Sequence, residues 1–138
     1  MKSFIFLSIL FFSTLNLTIQ DNTPAGNTSE ETPEAVVNRQ LEAYNARDIE
    51  WFISTYSEDI EIYDINGKLT MKGHDALRQG YADFFKNTPN LHCHIENRIT
   101  INNKVIDKEN VTAGERTFDA VAIYEVSEGK IIKVTFVR

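Results

Sequence analysis

The chain has 138 residues, of which 42% are hydrophobic and 25% charged, a composition typical of one globular domain and unlike collagen, coiled coils or disordered chains. Its 14 basic and 20 acidic residues give a net charge of −6, so we expect no nucleic-acid partner. One cysteine and three histidines are too few for a disulfide framework or a cysteine-rich zinc site.

The N-terminal segment has the pattern of an export signal. A basic start at Lys2 precedes an apolar run that is shorter than a membrane span and is interrupted by polar residues. We therefore predict a removed signal peptide at residues 1–20, a secreted or periplasmic protein, and no membrane contact after signal removal. Residues 21–32 contain no large apolar side chain and predict a flexible linker. The folded domain is then expected to span residues 33–138.

Two helices are predicted at the start of this domain. Thr32 followed by Pro33 and an acidic residue favours a helix start, and the apolar face of that helix reaches Tyr44. Asp48 can cap a second, shorter helix, whose apolar spacing extends to Tyr56.

A strand, a turn and a third helix come next. Residues 60–64 alternate with period two and predict a strand that ends at Asp64. The pair Asn66-Gly67 favours a turn into a short return strand. A third helix is expected to begin after Gly73 and to end before Pro89.

Consecutive strands fill the rest of the chain. They are predicted at residues 91–101, 105–112, 117–126 and 131–137. The first of these places its apolar side chains on one expected face: Leu91, Cys93, Ile95, Ile99 and Ile101. Helices followed by strands indicate an α+β fold with helices on one face of a mainly antiparallel sheet. Long strands twist and curl, so helices over the concave side would enclose an apolar pocket.

Three segments resemble the SnoaL-like and ketosteroid-isomerase-like domains of the nuclear-transport-factor-two-like superfamily. They are VVNRQLEAYNARDIEWFISTYSEDIEIYD, with its N-A-x-D break, MKGHDALRQGYADFF, and AVAIYEVSEGKIIKVTFVR, with Gly-Lys at its turn. The resemblance implies a cone-shaped, strongly curved mixed or antiparallel sheet whose concave face is closed by three N-terminal helices. It also implies a homodimer formed through the outer sheet face. The fold hosts many reactions, so activity does not follow from it.

Asp64 matches the position of the base in the ketosteroid isomerases, which makes it the candidate catalytic residue. The alternative is an aspartate that accepts hydrogen bonds from its own turn. The isomerases also hold the enolate oxygen with a tyrosine and a protonated aspartate, whose positions here carry Gln40 and, at or near it, Ala122. We therefore do not expect a standard ketosteroid isomerase. The Gln40 amide can still donate to a ligand carbonyl, and Tyr44 lies one turn further on.

The remaining candidate ligand contacts are tyrosines and one histidine. A buried tyrosine hydroxyl needs a partner, and in a pocket that partner can be a ligand. On this basis the predicted ligand contacts, with Gln40, are Tyr44, Tyr56, Tyr81, Tyr124 and His94. His92 and His94 leave the same face of a strand, and a metal would need a third ligand from another element, so we expect no metal site.

Two functions remain open from the sequence. The first is an exported domain that binds a small, moderately apolar carbonyl compound, with cofactor-free acid/base chemistry of the isomerase, lyase or cyclase type. The second is a non-catalytic dimeric interaction module whose interior is filled by aromatic side chains. An open cavity would favour the first and a packed interior the second.

Overall fold

The computed structural model describes residues 31–138. The predicted signal at residues 1–20, and all but the last two residues of the predicted linker, lie outside the described residues. Within the described part of the chain, no helix is both long enough and apolar enough to cross a membrane.

Three helices form, and the predicted caps start two of them. They are α1 (Pro33–Ala46), α2 (Ile49–Ser54) and α3 (Gly73–Asn87). The Thr32 hydroxyl accepts a 3.2 Å hydrogen bond from the backbone N–H of Ala35. The Asp48 carboxylate accepts one of 2.9 Å from the N–H of Trp51. Each cap satisfies a donor that the first helical turn leaves free, which fixes where the helix begins.

Six strands form one sheet. They are β1 (Tyr56–Asp64), β2 (Leu69–Lys72), β3 (His92–Ile101), β4 (Lys104–Ala113), β5 (Arg116–Ser127) and β6 (Lys130–Val137). Their order is β2-β1-β6-β5-β4-β3, with β1 and β6 parallel and every other pair antiparallel. Tyr56 therefore begins β1 and does not belong to the second helix, because α2 ends at Ser54.

The α+β fold predicted from the order of elements is confirmed, with three helices and a curved, unclosed sheet. Helix α1 packs on β3, β4, β5 and β6, while α3 packs on β1 and β2. The side chains between helices and sheet form the hydrophobic core, in which Phe52, Ile60, Leu77 and Ile131 are almost fully buried. The helices thus cover one face of the sheet and leave the other face outside.

A β-bulge divides β3 into two halves with opposite facing. Ile95 is opposite Glu109 on β4, and Asn97 is opposite the preceding residue, Lys108, so Glu96 is an extra residue in the ladder. Side chains alternate along a strand, and one inserted residue therefore reverses the facing of everything that follows.

The predicted facing of β3 is right before the bulge and wrong after it. Cys93 is buried as expected, but Ile99 and Ile101 are 62% and 57% exposed on the outer side. Arg98 takes the inward position and pairs with the buried Asp107.

Candidate functional site

A cavity of about 690 Å³ lies between α1, α3 and the inner side of the sheet. This volume is in the range of natural small-molecule sites. The cavity brings together five of the six ligand contacts predicted from the sequence: Gln40, Tyr44, Tyr56, Tyr81 and Tyr124. Apolar side chains, among them Leu41, Phe84 and Phe118, supply much of the remaining wall.

The sixth predicted contact, His94, is not among the cavity residues. It is exposed on β3 opposite Asn110, two residues after His92, which is also exposed. Among residues 31–138, no three histidine, cysteine or carboxylate side chains converge as a metal site requires.

Asp64 lies outside this cavity, at the turn that follows β1. Its Oδ1 accepts hydrogen bonds of 2.9 Å from the backbone N–H groups of Asn66 and of Lys68. These contacts match the alternative interpretation of Asp64 as a turn residue. It borders a second cavity of about 390 Å³, which shares four lining residues with the larger one: Met71, Tyr81, Phe136 and Arg138.

A buried carboxylate, Glu109, reaches the main cavity, and the sequence prediction missed it. It is 7% exposed, lies on the inner side of β4 and lines the cavity. The hydroxyl of Tyr124, on β5, donates a 2.9 Å hydrogen bond to its Oε1.

The signal for Glu109 was present in the alternation of β4. Val105, Asp107, Glu109 and Val111 follow one another with period two, and all four are buried. Two carboxylates on an apolar strand face need an explanation, because acidic residues are seldom buried unless paired. The burial of Asp107 is explained by Arg98, whose guanidinium donates a 2.6 Å hydrogen bond to each of the two carboxylate oxygens.

Glu109 differs from Asp107 because it forms no ion pair with any residue in the described part of the chain. Burial raises the pKa of Glu109 to about 7, against the hydrogen bond from Tyr124, which lowers it. The nearby charge of Asp107 raises this pKa further, whereas Arg138 and Arg98 lower it. A carboxyl group with such a pKa is partly protonated near neutral pH and can both give and take a proton.

The tyrosines around Glu109 are hydrogen-bond donors rather than bases. Burial raises the pKa of Tyr44 and of Tyr81, and it raises that of Tyr56 strongly, so all three stay protonated. Within residues 31–138, the hydroxyls of Tyr44 and Tyr81 have no hydrogen-bond partner. Their rings meet edge to face with centroids 6.5 Å apart, which holds both in place.

The family model of the SnoaL-like domain matches residues 37–134, which is most of the chain. The chain belongs to the SnoaL-like family. No curated protein matches it. This assignment agrees with the fold, in which three helices accompany a curved, unclosed sheet.

Solved structures share the fold of this SnoaL-like domain. A cystatin-fold protein from Novosphingobium aromaticivorans is 26% identical, with a TM-score of 0.72, over 78% of this chain and 98% of its own. A protein from Jannaschia sp. CCS1 described as a SnoaL-like polyketide cyclase is 16% identical, with a TM-score of 0.64, over 86% and 90%. One from Kribbella flavida described as a ketosteroid isomerase is 20% identical, with a TM-score of 0.61, over 75% of each chain.

In this SnoaL-like domain, the two positions that correspond to the isomerase donors differ in their surroundings. Gln40 is buried and lines the cavity, and its amide interacts with the hydroxyl of Tyr56. Ala122 is fully buried on β5 and stands opposite Asp107 on β4. The buried carboxylates, Asp107 and Glu109, therefore lie on β4, one strand away from the position that the resemblance indicated.

Proposed function

We propose that this SnoaL-like domain binds a small, moderately apolar carbonyl compound in the 690 Å³ cavity and transfers a proton on it without a cofactor. One observation carries the proposal: Glu109, buried and without a cationic partner among the described residues, lines that cavity with a pKa of about 7. Some of the structural neighbours are described as a polyketide cyclase and a ketosteroid isomerase, names that fit proton transfer beside a carbonyl.

The proton transfer runs through Glu109 in two steps. The ionised carboxylate removes a proton from the carbon beside the carbonyl, and the electron pair of the C–H bond moves toward the carbonyl oxygen. The resulting enolate accepts hydrogen bonds from the free hydroxyls of Tyr44 or Tyr81, or from the Gln40 amide. The protonated Glu109 then returns the proton to the same carbon or to a conjugated one.

Glu109 suits this role better than Asp64 does. Both hydrogen bonds that Asp64 accepts come from backbone N–H groups of its own turn, so this carboxylate is already engaged by the backbone. Within the described residues, Glu109 instead has one side-chain hydrogen bond, and it faces the space that a ligand would fill. The catalytic role predicted for Asp64 remains a prediction, and the two carboxylates can be tested against each other.

The test is exchange of carbon-bound protons in D₂O, followed by ¹H NMR on 2-tetralone, phenylacetone and an aryl β-keto ester. Wild-type protein is expected to accelerate exchange, with a rate that rises through pH 7 as Glu109 ionises. Loss of a general base costs about 10²- to 10⁴-fold, so Glu109→Gln should abolish most of the acceleration. Asp64→Asn should retain it.

The matched pair of variants decides which carboxylate acts. Exchange that survives in Glu109→Gln and disappears in Asp64→Asn would return the role to Asp64. No acceleration of any probe by the folded wild-type protein would count against the enzyme and favour the interaction module.

We also propose that the domain forms a homodimer through the outer side of its sheet. Ile99 on β3 is opposite Ile106 on β4, which is opposite Ile123 on β5, so three isoleucines cross three strands on that side. Ile99 is 62% exposed, and a second copy of the domain would cover this apolar surface.

A further inference from the structure

Two arginines border the main cavity, and neither is in an ion pair with another described residue. Arg116, the first residue of β5, and Arg138 both line it. The other four arginines of residues 31–138 all have partners: Arg39 with Glu31, Arg78 with Glu50, Arg98 with Asp107, and Arg47 with the carbonyl groups of Asn45 and Leu91. Arg116 and Arg138 form no ion pair within the described residues.

Each of these two guanidinium groups is held over a cavity wall by an aromatic ring. The Arg116 guanidinium carbon lies 5.9 Å from the ring centroid of Phe118, and that of Arg138 lies 5.0 Å from the centroid of Phe136. Both rings line the cavity. Cation–π contacts of this kind stabilise a guanidinium without neutralising its charge, so its N–H donors stay available to a ligand.

The charge of Arg138 reaches the interior of the cavity. It opposes the rise in pKa of Tyr44, of Tyr81 and of Glu109. Asp119 also lines the cavity and partly offsets the positive charge, but its carboxylate accepts a 2.8 Å hydrogen bond from the side-chain amide of Asn110. The cavity lining holds these two arginines against two carboxylates, Glu109 and Asp119, so it lacks the net negative charge of the whole chain, which is −6.

We infer that the ligand of this cavity is an anion: an apolar body, which enters between the aromatic walls, joined to a carboxylate or similar acidic group, which Arg116 and Arg138 bind. This inference rests on the proposed function and names the substrate class of the same site. Arginine binds carboxylates through paired N–H donors, and the apolar walls accept the rest of the molecule. The anionic group stays at the border while the carbonyl reaches Glu109.

Two dyes with the same aromatic body test the inference. 8-Anilinonaphthalene-1-sulfonate carries an anionic group, and N-phenyl-1-naphthylamine is the same ring system without it. Fluorescence titration with the full chain at about 0.15 M salt, where long-range charge effects are screened, gives a Kd for each dye. The proteins to compare are the wild type and the variants Arg116→Gln, Arg138→Gln and the double variant.

The anionic dye is expected to bind more tightly to the wild type than the neutral dye does. Because the arginines donate charge-assisted hydrogen bonds to the anionic group, the double variant should raise the Kd of the anionic dye by about tenfold or more. The Kd of the neutral dye should be the same for the double variant as for the wild type. Lys104→Gln removes the same charge at the opposite end of β4 and should change neither Kd.

Other outcomes separate the two proposals. Equal losses for both dyes in the double variant, or an equal loss in Lys104→Gln, would overturn the anion inference and leave the cavity as a site for neutral ligands. Ala113→Trp should block the cavity and weaken both dyes, with Thr88→Trp as a second blocking variant if the first does not fold. Dye binding that is absent from the wild type or unaffected by blocking would overturn both proposals.

Discussion

The hydroxyl of Tyr124 and the carboxylate of Glu109 form a 2.9 Å hydrogen bond although the two residues are not opposite each other in the sheet. Glu109 on β4 is opposite Ala120 on β5, four residues before Tyr124. Ala122, which is small and fully buried, lies between Ala120 and Tyr124 on the inner face of β5. The two alanine side chains leave room for the long side chains to lean along the strands and meet, so the contact depends on alanine at these positions.

The raised pKa of Glu109 predicts that stability falls as pH rises from 4.5 to 7. The unfolded chain releases this proton at an ordinary carboxyl pKa, whereas the folded protein keeps it up to about pH 7, so ionisation favours unfolding throughout that interval. Moving the pKa from 4.5 to about 7 corresponds to roughly 3 kcal/mol. Glu109→Gln should remove this dependence.

Urea unfolding of the wild type and of Glu109→Gln at a series of pH values measures the effect. The difference between the two free energies of unfolding isolates Glu109, because the histidines and the carboxyls whose pKa is lowered, such as Glu61 and Glu125, are common to both proteins. Parallel curves between pH 4.5 and 7 would show that Glu109 ionises normally in the folded state and would remove the basis for its proposed role.

Tyr124→Phe should raise the pKa of Glu109 above its wild-type value of about 7. The hydroxyl hydrogen bond favours the ionised carboxylate, so its loss favours the protonated form. The variant should also lose about 1–2 kcal/mol of stability. A ¹³C NMR titration of the Glu109 carboxyl group reports the pKa directly. Tyr63→Phe removes a 2.7 Å hydrogen bond to the distant Glu61 and is the matched control, which should leave the Glu109 titration where it was.

Local sequence chemistry predicted most of the element starts. Thr32 and Asp48 each offer an oxygen to a free backbone donor, and Gly67 adopts φ +80° in its predicted turn, so these elements depend on neighbours within four residues. The facing of β3 after Glu96 could not be predicted, because the bulge depends on how β3 pairs with β4 rather than on β3 alone.

The site was predicted less completely than the fold. The apolar spacing of α1 indicated that the face with Gln40 and Tyr44 turns toward the sheet, and both residues line the cavity there. Glu109 was missed because a glutamate on an apolar strand face looks like an exception to the pattern until its partner is known. That partner, Tyr124, lies fifteen residues later on the neighbouring strand, and the two meet through the pairing of β4 with β5 and the lean of their side chains.

The buried pair of Arg98 and Asp107 should be important for stability. The Asp107 side chain is 1% exposed and its charge is balanced by Arg98 alone among the ion pairs of residues 31–138. Arg98→Met leaves the buried Asp107 carboxylate without a counter-charge. It should lower the free energy of unfolding by about 3–5 kcal/mol, measured by urea unfolding. Adding Asp107→Leu to Arg98→Met should restore much of the loss, since no buried charge remains.

A surface pair provides the comparison for this prediction. Arg78 pairs with Glu50, and both side chains are largely exposed. Arg78→Met should change the free energy of unfolding little, because water solvates the remaining carboxylate. A loss in Arg98→Met no larger than that in Arg78→Met would contradict the assignment of Asp107 as a buried charge that depends on Arg98.

Ile99→Glu should convert the proposed dimer into a monomer. In the dimer Ile99 would be covered by the second copy. A glutamate at this position would lose its hydration on association and gain no cationic partner, which disfavours the dimer. Sedimentation-velocity analysis of wild-type and variant protein over a range of concentrations gives the association state. Ile65→Glu is the control: Ile65 is 57% exposed, like Ile99, but it follows β1 in the turn beside Asp64 and away from the three-isoleucine row, so a charge there should leave the dimer intact. A wild-type protein that sediments as a monomer at all concentrations would contradict the dimer. A dimer that persists in Ile99→Glu would place the association surface elsewhere.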